Sequence, residues 1–283
     1  MKQLQYAEQF IKYPHHYLNI NGIDFYYEFY PHQYSRKTIL LIHGFLSSTF
    51  SFRYLIPKLT DQFQVISVDL PPFGKSGKSF SFCYSYENIA RSLIELLNHL
   101  KIKESIIVAH SMGGQIGLNM IVQEPSRFTQ AVLLASSGYL KRARQPLIAV
   151  SYIPFFHLFV KNRLARTGVL GNLEQVVYSP DRITEEMVQG YLEPFIQSDE
   201  IFRGLTKLLR DREGDLSSDI LQRIETPCLL IWGDHDKVVP LSVGERLQRD
   251  LKYAELKVFD KTGHLIPEER PEETAHLIKS FVH

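Results

Sequence analysis

The chain has 283 residues, of which 44% are hydrophobic and 22% are charged, and this composition is typical of a globular protein with a sizeable core. Lys and Arg number 32 against 31 Asp and Glu, so the net charge of +1 offers no electrostatic basis for binding nucleic acid or an anionic membrane. The chain has no run of about 18 apolar residues, so we expect no membrane span.

The N-terminal segment and the cysteines bear on the compartment. The first ten residues lack the basic-then-apolar layout of a signal peptide, and we therefore expect a cytoplasmic protein. Only two cysteines occur, Cys83 and Cys228, and we expect both to be reduced core residues. No Cys/His spacing resembles a zinc site, so we expect no metal.

Short apolar runs predict eight strands. Residues 16–20 and 24–30 alternate in polarity around Asn21-Gly22, which is typical of a tight β-hairpin turn. Six further strands are predicted at 38–42, 64–68, 105–109, 131–135, 228–232 and 255–259. The first five of these six are almost continuously apolar, as strands covered on both faces are.

Helical patterns lie between the predicted strands. They cover residues 52–59, 86–100, 112–123, 243–251 and 272–282. Alternation of strands and helices predicts an α/β fold with a doubly wound, mostly parallel eight-stranded sheet that begins with an antiparallel hairpin.

Residues 139–225 interrupt this alternation, because they contain helical patterns broken by Pro and Gly and no strand pattern. An insertion of this length between two strands indicates a helical cap. We therefore divide the chain into a first part of the core, 1–138, the cap, 139–225, and a second part of the core, 226–283.

Two features of the cap have open interpretations. Its aromatic residues are interpreted as packing residues or, where they face the site, as the wall of an apolar pocket that favours an acyl or aromatic group. These residues are Tyr152, Phe155, Phe156 and Phe159. The mixed-charge run 210–215 is a solvated helix end or a network joining cap to core, with binding of a substrate carboxylate as the alternative.

Ser111 lies between the strand predicted at 105–109 and the helix predicted at 112–123. Small residues stand two positions before and after it, Ala109 and Gly113, and allow strand and helix to approach closely. Such a sharp turn exposes the hydroxyl, and the helix N-terminus directs free N–H groups at an oxyanion formed beside it. The alternative is that Ser111 only caps the helix.

A nucleophilic serine needs a base, and position selects among the 11 histidines. His264 follows the last predicted strand and so belongs to the same carboxyl edge of the sheet as Ser111, where ligands bind in such folds. His43 also follows a strand and is its rival.

The orienting acid is predicted in the loop after the strand at 228–232, which contains two carboxylates. Asp234 directly follows Gly233 and fits an Asx turn, whereas Asp236, further along, is the better partner for His264.

Two backbone N–H groups are predicted to hold the oxyanion. The first belongs to Met112, directly after the serine, and the second to Phe45, in the loop after the strand at 38–42. Gly44 has no side chain to obstruct the approach of this loop.

Five motifs in this order resemble the α/β-hydrolase superfamily over nearly the whole chain. They are His43-Gly44-Phe45, Asp69-Leu-Pro-Pro-Phe-Gly-Lys-Ser76, Ala109-His-Ser-Met-Gly-Gly114, Gly233-Asp-His-Asp-Lys-Val-Val-Pro240 and Gly263-His264. Within the superfamily the chain is similar to cap-bearing bacterial esterases and carbon–carbon bond hydrolases. The resemblance implies Ser111 as nucleophile, Asp236 as acid, His264 as base, and Phe45 and Met112 as oxyanion donors.

The chain also departs from the family's patterns. Ala109 replaces the usual first glycine of the serine motif, and a serine nucleophile, in place of aspartate, argues against haloalkane dehalogenase or epoxide hydrolase chemistry. Carbon–carbon hydrolases more often have asparagine where this chain has His110, and tryptophan where it has Leu265.

The sequence therefore predicts a serine hydrolase that cleaves a small apolar ester through an acyl-enzyme, without a cofactor. Three alternatives stay open: a carbon–carbon bond hydrolase of vinylogous diketones, a thioesterase or amidase, and a ligand-sensing protein that retains the fold without turnover.

Overall fold

The computed structural model describes residues 14–197 and 199–282. The expectation about the first ten residues lies outside this part of the chain.

Eight strands form one sheet. They are β1 (His15–Ile20), β2 (Ile23–Tyr30), β3 (Thr38–Ile42), β4 (Gln64–Val68), β5 (Ser105–His110), β6 (Phe128–Leu134), β7 (Cys228–Gly233) and β8 (Ala254–Phe259). Their order across the sheet is β1-β2-β4-β3-β5-β6-β7-β8. The β1–β2 and β2–β4 pairs are antiparallel and the remaining five pairs are parallel, which confirms the predicted fold class.

The hairpin at the start of the sheet turns at Asn21-Gly22, as its sequence predicts. Both residues have positive φ angles, 54° and 79°, which asparagine and glycine tolerate better than other residues. The turn pairs Ile20 directly with Ile23 and so sets the register of the two strands.

Eleven α-helices occur in the described residues. They are α1 (Ile56–Leu59), α2 (Tyr86–His99), α3 (Met112–Gln123), α4 (Gln145–Ser151), α5 (Phe156–Val176), α6 (Glu185–Gln197), α7 (Glu200–Asp211), α8 (Ser218–Leu221), α9 (Leu241–Asp250), α10 (Ile266–Glu269) and α11 (Pro271–Phe281). Two 3₁₀ turns, Thr49–Phe52 and Pro180–Arg182, complete the helical elements.

One predicted helix, 52–59, is wrong. The structure has a 3₁₀ turn that ends at Phe52 and a separate short helix, α1, that begins at Ile56. Pro57 explains the break, because it has no N–H to continue a helix from the preceding turn and is tolerated only in a first turn.

The centre of the sheet is fully covered. Every residue of β3 and β5 is buried, and so are the first ten residues of α3, which packs on these strands. Gly113 makes that close packing possible, because a Cβ there would lie 2.4 Å from the carbonyl oxygen of Ile42. The start of α3 is therefore held against the end of β3.

The described residues between 139 and 225 form helices and no strand. The mixed-charge run joins this segment to the core, because its carboxylates accept N–H groups from the start of α2. Asp211 accepts from Tyr84, and Glu213 accepts from Tyr86 and Glu87, at 2.7–2.9 Å.

Two expectations about side-chain burial are wrong. Cys228 is buried but Cys83 is exposed, because Phe82 and Tyr84 on either side of it turn inward. The aromatic residues Tyr152, Phe155 and Phe159 are more than half exposed and are not packing residues. Local hydrophobicity does not reveal that, within residues 14–197 and 199–282, no further layer covers these side chains on α4 and α5.

None of the helices in residues 14–197 and 199–282 combines the length and apolar character needed to cross a bilayer.

Candidate active site

Ser111 lies in a strained turn between β5 and α3. Its φ and ψ are 52° and −121°, a region that L-residues rarely adopt. The surrounding backbone holds it there, since the Ser111 N–H donates to Leu134 and the Ser111 carbonyl accepts from Gly114 and Ser137. The Ser111 side chain makes no capping hydrogen bond to α3, which argues against the helix-cap interpretation.

Three of the predicted site residues form one chain of hydrogen bonds. Ser111 Oγ lies 2.9 Å from His264 Nε2, and His264 Nδ1 lies 2.7 Å from Asp236 Oδ2. All three are buried, with 8%, 4% and 8% of their surfaces exposed. An ionised carboxylate only accepts, so Nδ1 carries the proton and Nε2 accepts from the serine hydroxyl.

The two carboxylates after β7 have different surroundings. Asp236 Oδ1 accepts the N–H groups of Val238 and Val239 at 2.8 and 2.9 Å, which leaves Oδ2 for His264. Asp234 instead accepts the Thr262 N–H at 3.2 Å and contacts the neighbouring His235. The structure thus brings Asp236, and not Asp234, to the histidine.

The two predicted oxyanion donors lie in backbone segments next to Ser111. A Cβ on Gly44 would lie 3.0 Å from the Ser111 Cβ, so the loop containing Phe45 runs against the serine. Met112 is the first residue of α3, where an N–H has no partner within the helix. Within the described part of the chain, neither the Phe45 nor the Met112 N–H has a hydrogen-bond acceptor.

His43, the rival base, is occupied elsewhere. Its Nε2 accepts the Leu70 N–H at 2.8 Å and its Nδ1 donates to the Gly44 carbonyl at 2.7 Å. Burial lowers the pKa of His43 to about 4, so the ring stays neutral near pH 7. It fixes the backbone of the loop that contains Phe45.

His110 supports the histidine of the site, a role that we did not predict. Its Nε2 donates to the carbonyl of His264 at 2.8 Å, and the two rings lie 4.8 Å apart. Burial lowers the pKa of His110 to about 3, and the nearby His264 adds to this effect. The only feature of the sequence that points to this role is the position of His110 directly before Ser111.

The loop of His264 is held by the helical segment. The N–H groups of His264 and Leu265 both donate to the carbonyl of Val176, the last residue of α5, at 2.7 and 3.2 Å. A Cβ on Gly263 would lie 2.6 Å from the Tyr178 nitrogen. No side-chain pattern in the sequence reveals such backbone contacts.

Glu269 joins the same two parts of the chain and was also not predicted. Its buried carboxylate accepts the Gly263 N–H at 2.9 Å and the Tyr178 N–H at 3.0 Å, and Arg182 lies 3.6 Å away. Burial raises the pKa of this carboxyl, although the two N–H groups oppose the shift. The only hint in the sequence is a pair of acidic residues four and five positions after His264.

The neighbouring Glu268 makes different contacts. It is buried against Arg53 and accepts a hydrogen bond from the Tyr191 hydroxyl at 3.1 Å. Arg53 also contacts Glu186 at 2.9 Å, so this network links α6 to the core without touching the His264 loop.

Comparison with known proteins agrees with this architecture. A family model described as alpha/beta hydrolase fold matches residues 37–271. The chain is 47% identical over 263 residues to the uncharacterized hydrolase YugF of Bacillus subtilis (strain 168), covering 93% of this chain and 96% of that protein.

Two solved structures have the same fold. The 2-hydroxy-6-oxo-6-phenylhexa-2,4-dienoate hydrolase of Rhodococcus sp. strain RHA1 superposes with a TM-score of 0.78 at 25% identity, covering 94% of this chain and 97% of that one. A thermophilic esterase from Thermogutta terrifontis superposes with a TM-score of 0.77 at 21% identity, covering 95% and 97%.

Proposed function

The chain belongs to the α/β-hydrolase family, and from this premise we propose that it is a serine hydrolase that cleaves small apolar carboxylic esters. The observation that carries the proposal is the continuous chain of hydrogen bonds from Asp236 through His264 to Ser111. This arrangement can activate a hydroxyl that is otherwise a poor nucleophile.

Acylation is the first half of the proposed reaction. Ser111 Oγ attacks the ester carbonyl carbon while His264 Nε2 takes the serine proton, and Asp236 stabilises the imidazolium that forms. The N–H groups of Phe45 and Met112 donate to the oxyanion. When the tetrahedral intermediate collapses, the carbon–oxygen bond to the alcohol breaks and the alcohol leaves with the proton held by His264.

Deacylation repeats these steps with water. His264 takes a proton from water as the water oxygen attacks the acyl carbon, and collapse returns that proton to Ser111 Oγ and releases the carboxylic acid. His43 and His110 stay neutral throughout, because burial keeps the pKa of each well below 7. No cofactor takes part in these steps.

The experiment combines covalent labelling with turnover. A fluorophosphonate probe is expected to modify Ser111, and Ser111→Ala is expected to lower kcat for p-nitrophenyl butyrate by about 10⁵-fold, since the members of such a triad act as a unit. Ser136→Ala is the matched control, because Ser136 is buried just after β6 and donates only to the Ser137 carbonyl. Turnover by Ser111→Ala at the wild-type rate would refute the proposal.

A second candidate is cleavage of a carbon–carbon bond in a vinylogous 1,5-diketone. The superposition with the Rhodococcus hydrolase favours it, whereas His110 and Leu265 stand where such enzymes more often have asparagine and tryptophan. A larger kcat/KM for a vinylogous diketone than for p-nitrophenyl esters would select this candidate.

A graded panel separates the remaining possibilities. Matched esters, thioesters and amides of increasing acyl length rank the bond that is cleaved and the chain length that is accepted. A folded protein that reacts with the probe at Ser111 but turns over no member of the panel would instead indicate a ligand-sensing role.

A further inference from the structure

An exposed apolar surface lies where α4 and α5 meet. Of the nineteen large hydrophobic residues exposed in the described part of the chain, nine lie between 140 and 170. We call residues 152–155, Leu158 and Phe159 the apolar tip; Tyr152, Phe155 and Phe159 in it are 66%, 71% and 62% exposed. Soluble proteins rarely expose so many adjoining apolar side chains, so the apolar tip indicates a surface that contacts something outside the chain.

The backbone at the apolar tip holds an aromatic ring outward at a conformational cost. Phe155 has φ 64° and ψ 11°, the left-handed region that is unfavourable for a bulky side chain. Asparagine or glycine would adopt this conformation more readily. A phenylalanine at this position gains nothing from burial, since it is exposed.

Basic residues flank the apolar tip on both sides. Between 141 and 166 the chain has six basic residues and no acidic one: Lys141, Arg142, Arg144, Lys161, Arg163 and Arg166. The rest of the chain has 26 basic and 31 acidic residues, a net charge of −5. The net charge of the chain is near zero because the positive charge of residues 141–166, which we call the hairpin, is offset by the negative charge of the rest of the chain.

The apolar and basic residues follow each other along one helix face. Phe155, Phe159, Arg163 and Arg166 are exposed, at spacings that keep them on the same side of α5. At about 1.5 Å per residue, the two arginines lie about 6 and 10 Å beyond Phe159 along the axis. The other three exposed cations precede α4, which ends at the apolar tip. If the apolar tip entered a bilayer surface by about 5–10 Å, these cations would lie at the depth of the lipid phosphates.

Two further arginines line a groove of 440 Å³ beside the apolar tip. Arg210 lies over the Tyr152 ring at 4.2 Å and donates to Ser151 Oγ at 2.9 Å. Arg203 lies over the ring of Phe80, another exposed aromatic residue, at 5.6 Å. Arg210 also donates to the Ser151 carbonyl and so holds the end of α4, whereas the exposed Arg203 provides a cation for a phosphodiester headgroup.

We propose that the hairpin of residues 141–166 docks the protein peripherally on an anionic phospholipid surface, with the apolar tip in the interface and the flanking arginines at the lipid phosphates. The charge of the hairpin disfavours a symmetric contact with the hairpin of a second copy, because that contact would bring twelve cations together. Docking needs no spanning helix and does not depend on Ser111.

The test measures binding of the full chain to vesicles. In about 0.1 M salt, we expect at least tenfold tighter binding to vesicles of phosphatidylcholine and phosphatidylglycerol in equal parts than to phosphatidylcholine alone. Phe155→Asn with Phe159→Gln is expected to weaken binding at least tenfold. Asparagine suits the backbone at 155 and glutamine suits a helix, so this variant keeps its fold.

A charge variant and two controls complete the design. Arg163→Glu with Arg166→Glu is expected to weaken binding about tenfold and to reduce its dependence on salt. Tyr253→Gln with Val258→Thr and Lys103→Glu with Arg249→Glu change exposed residues elsewhere and should bind as the wild type does.

Three results would overturn the proposal. They are absence of binding to anionic vesicles, equal binding by the wild type and both hairpin variants, and a dimer in sedimentation velocity that Phe155→Asn with Phe159→Gln dissociates. The last result would assign the surface to a second copy. The Ser111→Ala protein can be used throughout, so docking is tested separately from catalysis.

Discussion

The carboxyl edge of the sheet and the hairpin of residues 141–166 use the same kinds of apolar residue in opposite surroundings. Leu40 and Leu41, which lead into the site, are completely buried, whereas Phe155 and Phe159 in the hairpin are mostly exposed. Apolar character thus marks a surface that has to be covered. The fold decides whether the chain covers it or leaves it to a partner.

The polar side chains of the two regions also differ in burial. At the sheet edge, Ser111, His264 and Asp236 are buried and hydrogen-bonded to one another. In the hairpin, Arg144, Arg163 and Arg166 are exposed to water. Removing one partner of a buried pair leaves the other unsatisfied, so substitutions at the edge should have much larger effects than substitutions in the hairpin.

Among substitutions that leave the nucleophile in place, Asp236→Asn should have the largest effect, a decrease in kcat of about 10⁴-fold with an ordinary substrate. The amide oxygen can still accept from Val238 and Val239, so the turn is kept. The amide nitrogen cannot accept the Nδ1–H of His264, and the tautomer that takes the serine proton is lost. Steady-state kinetics on p-nitrophenyl butyrate measures the effect.

Asp234→Asn is the matched control for this variant, since Asp234 lies in the same loop but contacts Thr262 and His235. Its kcat should stay within about tenfold of wild type. Equal losses in the two variants would show that the loop, and not the contact to His264, is responsible.

Glu269→Gln should have the second largest effect, because the amide accepts only one of the two N–H groups of Gly263 and Tyr178. We expect unfolding free energy to fall by about 1–3 kcal/mol. We also expect kcat to fall about tenfold with little change in KM, since misplacing His264 affects the transition state more than binding.

Glu268→Gln separates positioning from stability. Glu268 is equally buried but contacts Arg53 and Tyr191 instead of the His264 loop. Glu268→Gln should lose stability while its kcat stays near the wild-type value. If both variants lose kcat in parallel with stability, Glu269 has no positioning role.

The buried histidines predict a loss of stability in acid. The folded-state pKa values of His43 and His110 are lowered by burial to about 4 and about 3, from 6.5. As pH falls below 6.5 the unfolded chain therefore binds more protons at these sites, and unfolding becomes easier. Buried Asp69 has the opposite effect, since burial raises its pKa from 3.8 to about 6 and the folded state keeps its proton.

His110→Asn removes one of these sites. Between pH 6 and pH 4.5, the unfolding free energy of the variant should fall less steeply than that of the wild type, by about 1.4 kcal/mol per pH unit. Urea unfolding at three pH values gives both slopes. Identical slopes would show that His110 takes up a proton in the folded state.

Phe159→Gln should have the smallest effect, a change in unfolding free energy within about 0.5 kcal/mol and unchanged turnover of a soluble ester. Leu40→Ala, at a completely buried position, should cost about 2–5 kcal/mol. If Phe159→Gln costs more than about 2 kcal/mol, the ring packs within the chain and the contrast between the two regions fails.

The strands were predicted well because their pattern is local. The runs at 38–42 and 64–68 match β3 and β4 to the residue, since apolar strands bounded by polar residues have clear ends. The helix predicted at 52–59 is wrong because Pro57 fits only the first turn of a helix, so the helix begins at Ile56. The strand predicted at 131–135 begins three residues earlier in the structure, at Phe128, because Thr129 and Gln130 interrupt the apolar run but still belong to β6.

The residues of the site could be predicted from the sequence because each lies in a loop or turn that follows a strand. The loops after parallel strands share one edge of the sheet, so order along the chain brings Ser111, Asp236 and His264 together. The contacts of Glu269 and of the Val176 carbonyl with the His264 loop could not be predicted from the sequence. Their roles depend on which backbone groups the helical segment leaves opposite the His264 loop.

The sequence by itself determined the α/β fold, the strands, and the serine, histidine and carboxylate that meet at the sheet edge, because periodicity and position after a strand are properties of neighbouring residues. Only the tertiary structure decided that Glu269 holds the His264 loop and that Phe155 and Phe159 face outward. The reason is physical: burial and hydrogen-bond partners depend on which distant segments come into contact.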